Sequence, residues 1–243
     1  MFFSAIFFDA GKAYAVDITA GATTWYARGE QYSASGTFDD HVGSDPAFLF
    51  GPTLSVKLNE NFNLTFVYLY GKFDYKAEHG TTTDDFKSVR SDTDLALNYR
   101  LNDYFKVFAG IKYLAFDMMQ VEYFDGTSSF MNDGNHTCFC GGLGISAVFP
   151  IMENLFLLGT ISGLYGHGKD KIYASGSSFK TGFDDYGLNA NLSIAYYIAP
   201  ASTTISLGAR TQYFKTKYSD KFPVTVENQI YGITLTAAYS FNI

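Results

Sequence analysis

The last fifteen residues, Gln229 to Ile243, have the sequence QIYGITLTAAYSFNI, which is the clearest structural pattern in the chain. From Tyr231 onward every second residue is apolar or aromatic, while the residues between them, from Gly232 to Asn242, are small or polar. A period of two is that of a β-strand, in which successive side chains point to opposite faces. The stretch therefore predicts a strand whose two faces meet different surroundings.

The strand ends in alternating apolar residues at Tyr239, Phe241 and Ile243. This ending resembles the C-terminal assembly signal of bacterial outer-membrane β-barrel proteins, although Ile243 stands where Phe is commonest. The resemblance implies a location in the bacterial outer membrane. It also implies two partners, the outer-membrane assembly machinery and the outer-membrane lipid with its lipopolysaccharide.

Composition also separates this chain of 243 residues from ordinary soluble domains. Charged residues make up 17% of it and aromatic residues 18%, whereas globular proteins carry roughly 25% charged residues. The net charge of -7 argues against a nucleic-acid partner, because phosphate binding needs clustered Lys and Arg. The sequence contains no motif that indicates a cofactor.

The remaining chain is compatible with a membrane barrel but not with membrane helices. It has no run of about twenty apolar residues, and a chain without such helices can span a membrane only as a closed barrel. Phe2 to Phe8 with Ala13-Tyr14-Ala15 predicts a signal peptide over residues 1–15. Residues 16–243 are then predicted to form an all-β, antiparallel up-and-down transmembrane β-barrel of about ten strands.

Ten segments show the amphipathic alternation of strands, and the last is expected to close the barrel by pairing with the first. Short turns and long, Gly-, Ser-, Thr- and Asp-rich connections alternate between them, which is typical of outer-membrane barrels with five long extracellular loops. The segments are Asp17 to Glu30, Ala47 to Leu58, Phe62 to Tyr75, Lys87 to Leu101, Phe105 to Tyr123, Thr137 to Phe149, Leu155 to Gly166, Phe183 to Ala199, Thr203 to Lys215, and Val226 to Ile243.

Strand parity places a set of charged residues on the lumen face of this barrel. Opposite charges inside a narrow barrel are expected to pair, because an isolated buried charge is costly. We therefore predict a structural salt-bridge plug in preference to a selectivity filter. The predicted lumen charge network consists of Asp92, Asp94, Arg100, Lys106, Lys112 and Arg210.

A second group of polar residues lies near the predicted loop rim. Asp84-Asp85 and Asp92, with His167 and Asp170, are similar to the paired Asp residues and Asp–His pair of the omptin proteases, which are ten-stranded outer-membrane barrels. The likeness departs from that family in chain length and spacing, and strand parity turns His167 toward lipid. Loop carboxylates more commonly solvate a loop or bind divalent cations among lipopolysaccharide phosphates.

The two cysteines, Cys138 and Cys140, are two residues apart in one strand and are expected to share the lumen face. A strained disulfide and two free thiols both remain open for this pair, in a structural role. Asp39-Asp40-His41 offers too few ligands to predict a metal site.

These patterns lead to three hypotheses about function. The first is a non-enzymatic barrel with a plugged or narrow lumen, which has a structural or surface-binding role through its five loops. The alternative is a narrow, porin-like channel for small solutes, and the second alternative is an omptin-like protease. A small solute or a surface ligand is the further partner that these hypotheses imply.

Overall fold

The structure, a computed structural model, describes residues 17–35, 38–79, 82–124, 129–174, 177–218 and 224–242. The predicted signal peptide, residues 1–15, lies outside the described residues. No helix among the described residues is long and apolar enough to cross a membrane. The described chain is almost entirely antiparallel strand: β1 (Asp17–Ser35), β2 (Phe38–Ser44), β3 (Ala47–Lys57), β4 (Phe62–His79), β5 (Thr82–Arg100), β6 (Phe105–Phe124), β7 (Ser129–Met152), β8 (Leu155–Ala174), β9 (Ser177–Ile198), β10 (Thr203–Tyr218) and β11 (Thr225–Asn242).

The strands form one closed ring with ten positions. β2 and β3 both lie between β1 and β4, so they are two halves of one interrupted strand. The interruption falls at Asp45 and Pro46, where the proline has no N–H to donate to a sheet ladder. The Asp45 N–H donates instead to the Asp74 carbonyl at 2.9 Å. The predicted antiparallel barrel of about ten strands is thus confirmed.

The first and last strands close the ring, as the sequence predicted. β1 pairs with β11 from Asp17 opposite Asn242 to Ala34 opposite Thr225. A Cβ on Gly232 would lie only 2.0 Å from the carbonyl oxygen of Tyr26 across this seam. Glycine therefore permits the close approach of backbones where the barrel closes.

Two of the short turns use the same side-chain chemistry. The Asn59 side-chain oxygen accepts hydrogen bonds from the N–H groups of Asn61 and Phe62, each at 2.9 Å. Asn102 does the same for Tyr104 and Phe105, also at 2.9 Å each. An Asn side chain that satisfies the backbone in this way fixes a tight reversal, so these turns lie where the sequence predicted them.

The long connections differ from the prediction. Most of the residues expected in loops continue the strands, since β1 reaches Ser35, β4 reaches His79 and β8 reaches Ala174. A membrane strand needs only about 9–11 residues, so these strands extend well beyond the bilayer as paired hairpins. Backbone pairing explains the difference, because the strand register continues through these segments, with Gln31 opposite Val42 and Lys76 opposite Asp85.

The outer surface carries an apolar belt between two aromatic girdles. Leu143 is 70% exposed and Ile161 is 60% exposed, as expected of side chains that face lipid. The lower girdle lies at the short turns and the upper girdle lies toward the long hairpins. The lower girdle contains Phe62, Tyr99, Phe105, Phe149, Tyr196 and Phe241, and the upper girdle contains Tyr26, Phe48, Tyr113, Phe139, Tyr165, Tyr186 and Tyr231.

The lumen is lined by two apolar clusters. One contains Trp25, Leu69 and Phe73, each fully buried. The other includes Phe108 and Phe183, and Phe116 packs against both clusters. Val67 and Leu69, which strand parity placed on the lumen face, fill the interior as part of the first cluster.

Candidate functional site inside the barrel

A cluster of buried charges occupies the lumen between the two apolar clusters. Asp92 on β5 accepts hydrogen bonds from Arg90 at 2.9 and 3.0 Å and from Lys112 at 3.1 Å. Lys112 also donates to Asp94 at 3.1 Å. None of these four side chains is more than 2% exposed. We call Arg90, Asp92, Asp94, Lys112, Arg210 and Gln212 the inner charge cluster.

The inner charge cluster reaches across the lumen. Arg90 on β5 donates a hydrogen bond to the side-chain oxygen of Gln212 on β10, and Arg210 lies 4.0 Å from Asp92. β5 and β10 hold the fourth and ninth of the ten positions in the ring, so they are opposite walls. Arg210 also lies over the Trp25 ring at 4.1 Å. Side chains therefore bridge the barrel from wall to wall.

The structure brings together four of the six residues predicted for this network: Asp92, Asp94, Lys112 and Arg210. Arg100 does not belong to it, because its guanidinium turns back to Asp103 at the short turn and is 41% exposed. Lys106 is half-buried opposite Arg100 at the same end of the barrel. Arg90 and Gln212 are the members that sequence reasoning missed, although both share the lumen parity of their neighbours.

A second polar cluster lies above the first, toward the long hairpins. His136 on β7 places Nδ1 2.7 Å from Asp170 on β8 and Nε2 3.8 Å from Asp185 on β9. Tyr218 donates a hydrogen bond to Asp170, and Thr216 donates one to Asp185. We call these five residues the histidine cluster.

The histidine ring is held on its faces as well as at its nitrogens. It stacks on Phe183 at a centroid distance of 4.2 Å, and Phe116 meets it edge-on at 5.6 Å. His136 lies three residues beyond Phe139 of the upper girdle, outside the membrane-spanning segment. Burial acts to lower the pKa of this imidazole, but the carboxylates of Asp170 and Asp185 outweigh burial and raise the pKa to about 9.

The rim residues that resembled the omptin pattern do not come together. His167 points out of the barrel, is 70% exposed and pairs with Asp184 on the neighbouring strand. Asp170 faces the lumen instead, where its histidine partner is His136. Asp92 belongs to the inner charge cluster, and the side chains of Asp84 and Asp85 lie outside the described residues.

The two cysteines share the lumen face, as predicted from parity. Cys138 and Cys140 are 1% and 0% exposed, and both thiols are free. Their sulfur atoms lie 3.0 Å apart, and a side-chain oxygen of Asp185 joins them in a group whose donor atoms are all within 4.8 Å of one another. Two thiols and a carboxylate are donors that could hold a metal ion.

A closed antiparallel barrel with an apolar belt, two aromatic girdles and buried charges inside its lumen defines this chain as a bacterial outer-membrane β-barrel protein. The outer-membrane location predicted from its final strand is thereby confirmed. Tyr239 and Phe241 of the predicted assembly signal face outward, 45% and 43% exposed, with their rings 4.5 Å apart. Ile243 lies outside the described residues.

Comparison with known proteins supports the fold alone. No protein-family model matches the sequence, and a search of curated proteins finds no match. Among solved structures, the outer membrane protease OmpT from Escherichia coli superposes with a TM-score of 0.65 at 11% identity, over 93% of this chain and 97% of that one.

More distant similarities occur among other outer-membrane barrels. The translocator domain of the autotransporter NalP from Neisseria meningitidis gives a TM-score of 0.44 at 9% identity, over 95% of this chain and 90% of that one. The attachment invasion locus protein Ail of Yersinia pestis gives 0.35 at 15% identity, over 92% and 98% of the two chains.

Proposed function

We propose that this protein is a closed, non-enzymatic outer-membrane barrel that stabilises the envelope and presents five extended hairpins for binding at the cell surface. The observation that carries the proposal is the hydrogen bond from Arg90 to Gln212 between opposite walls of the lumen. Both side chains are fully buried. A wall-to-wall contact between buried polar groups obstructs the path that a solute would take.

Energetics also favour a closed lumen over an open channel. Arg90, Asp92 and Lys112 are all withdrawn from solvent, and charges are stable there only when they are paired. A water-filled pore would hydrate these groups and leave them mobile. Their mutual pairing supports a plug that fixes opposite strands to each other.

The contacts of the histidine cluster argue against hydrolase chemistry of the omptin type. Both ring nitrogens of His136 face carboxylates, at 2.7 and 3.8 Å, and Phe183 covers one face of the ring. A general base needs a nitrogen within hydrogen-bond reach of an attacking water. His136 has its nitrogens turned to Asp170 and Asp185 instead.

Planar-bilayer recording tests the proposal against the channel alternative. Purified protein in a bilayer at physiological salt should give no steady ohmic current, whereas a general porin measured alongside should conduct. Reproducible single-channel steps from the folded protein would overturn the closed-barrel proposal.

Peptide hydrolysis tests the protease alternative. The folded protein should leave a mixed peptide library uncut in the presence of lipopolysaccharide. Cleavage that disappears in the variant His136→Ala, while that variant still folds, would establish an enzyme in place of a structural barrel.

A further inference from the structure

We propose that Cys138, Cys140 and Asp185 form a buried, three-donor binding site for one zinc-like divalent metal ion on the lumen face of the barrel. The three donor atoms lie within 4.8 Å of one another, and all three residues are buried. Thiolates select soft and borderline metals, and a carboxylate beside them favours Zn²⁺ over a purely soft ion. The inference is independent of the proposed function.

The fold assembles these donors across a gap left by two glycines. Cys138 and Cys140 lie on β7 and Asp185 lies on β9, with β8 between them. Gly168 and Gly166 occupy the positions on β8 opposite the two cysteines. With no side chain on β8 at this level, groups on the two flanking strands can meet over it.

The sulfur of Cys140 already occupies part of the gap above Gly166. A Cβ added to Gly166 would lie 2.5 Å from the sulfur of Cys140. Real Cβ atoms do not approach so closely, so even a methyl group would displace the thiol. The same Cβ would lie 2.5 Å from the backbone carbonyl oxygen of Phe139, so glycine permits both the close approach of β7 and β8 and the position of the Cys140 thiol.

Asp185 is oriented toward a ligand. One of its carboxylate oxygens accepts a hydrogen bond from Thr216, while Oδ2 accepts no hydrogen bond among the described residues and lies 3.8 Å from His136 Nε2. The residue is only 1% exposed. A hydrogen bond that fixes one carboxylate oxygen while the other is left for the metal is typical of the support around metal ligands.

Charge and geometry both permit the ion. Binding of M²⁺ forms two metal–sulfur bonds and releases two thiol protons to solvent, so the net charge of the closed lumen does not change. Two thiolates at about 2.3 Å from a tetrahedral Zn²⁺ stand about 3.8 Å apart. The sulfur atoms, now 3.0 Å apart, reach that separation by small side-chain rotations.

Cys138 and Cys140 could form a disulfide bond instead of binding a metal ion. Residues two apart in a strand have Cα atoms about 6.6 Å apart, which is near the upper limit for a disulfide. A disulfide at this separation would be strained, whereas binding of a metal ion between the two sulfur atoms requires no such strain. Because the sulfurs are sealed from solvent, the ion is captured as the barrel folds, and its binding then stabilises the folded barrel.

The test is to fold the full chain from urea into detergent with ZnCl₂ and then measure bound metal and intact mass. We expect one zinc per folded chain after removal of free metal. Folding with CoCl₂ should give thiolate-to-cobalt charge-transfer absorption, which reports directly on sulfur ligation. The proposal would be overturned if the protein folded with zinc under reducing conditions contained no metal. It would also be overturned if the intact mass of that protein showed the loss of two hydrogens to a disulfide.

Variants separate the site from nonspecific metal binding. Cys138→Ser, Cys140→Ser and Asp185→Asn should each weaken Zn²⁺ binding by more than roughly 100-fold, because loss of an outer-shell partner alone costs about 10–100-fold. Asp184→Asn is the matched control, since Asp184 is the adjacent carboxylate on β9 and pairs with His167 outside the barrel. Retention of zinc by both serine variants would contradict the proposed site. If a variant does not fold, the cobalt spectrum of the unmodified chain shows whether the cysteine sulfurs bind the metal.

Discussion

At the scale of single residues, Asp92 is the charge on which the inner charge cluster depends. It accepts hydrogen bonds from Arg90 and Lys112 and lies 4.0 Å from Arg210. Asp92→Asn would leave these three cations with only Asp94 as a buried carboxylate partner in the cluster. Because removing one partner leaves an uncompensated buried charge, we expect a loss of about 3–5 kcal/mol in the free energy of unfolding.

Urea unfolding in detergent micelles, followed by tryptophan fluorescence, measures this loss. Asp103→Asn is the control, since Asp103 also pairs with an arginine but is 79% exposed at a turn. Exposed ion pairs contribute little to stability. Equal effects from the two substitutions would contradict the importance of the buried cluster.

Gly168 is a second residue whose role the structure makes testable. A Cβ at this position would lie 1.9 Å from the ring of Phe183, which stacks on His136. Gly168→Ala should destabilise the folded barrel by about 1–3 kcal/mol through overpacking.

Gly163 on the same strand provides the comparison for this substitution. It faces outward, and a Cβ there would have no neighbour within 4 Å. Gly163→Ala should therefore leave the urea midpoint nearly unchanged. If Gly168→Ala had the same urea midpoint as Gly163→Ala, the Phe183 ring would move aside without loss of stability.

At the scale of elements, the seam between β1 and β11 decides whether the barrel closes. Gly232→Val would place side-chain atoms against the Tyr26 carbonyl, which a Cβ already approaches to 2.0 Å. We expect this variant to lose heat-modifiable migration, in which an unboiled, folded barrel runs differently from the boiled chain. Gly141→Val, where a Cβ meets nothing within 4 Å, should keep it.

Strand faces could be predicted from the sequence, whereas contacts across the lumen could not. A period of two gave the inward positions of Asp92, Asp94 and Arg210, because alternation is a local property of a strand. The meeting of Arg90 with Gln212 depends on the register of strands far apart in the ring. That register is set by closure of the whole barrel, and no local pattern encodes it.

The same distinction explains the histidine cluster. His136, Asp170 and Asp185 all have lumen parity, but the likeness to the omptin pattern grouped His167 with Asp170. Adjacent strands place His136 opposite Asp170 in register, and Asp185 reaches them from one strand further. The long hairpins were likewise mistaken for loops because their polar residues continue the backbone ladder without an apolar face.

At the scale of the whole molecule, the inner charge cluster connects closure of the lumen with stability of the ring. Arg90 and Arg210 extend toward the opposite wall from β5 and β10. Their aromatic partners, Phe116 at 4.6 Å and Trp25 at 4.1 Å, fill the remaining width around the guanidinium groups. One set of contacts therefore fixes the two walls to each other and, in the closed barrel that we propose, also obstructs the path of a solute.

Removing both arginines should open the barrel if these side chains form the plug. The double variant Arg90→Ala/Arg210→Ala should give single-channel currents in planar bilayers, because it deletes the two longest side chains that span the lumen. The double variant Lys169→Ala/Lys215→Ala is the control, since it removes the same charge from side chains more exposed than these arginines. Heat-modifiable migration shows whether the arginine variant folds. If it folds and does not conduct, other lumen side chains such as Trp25 and Phe116 suffice to close the barrel. The arginines would then contribute to stability alone.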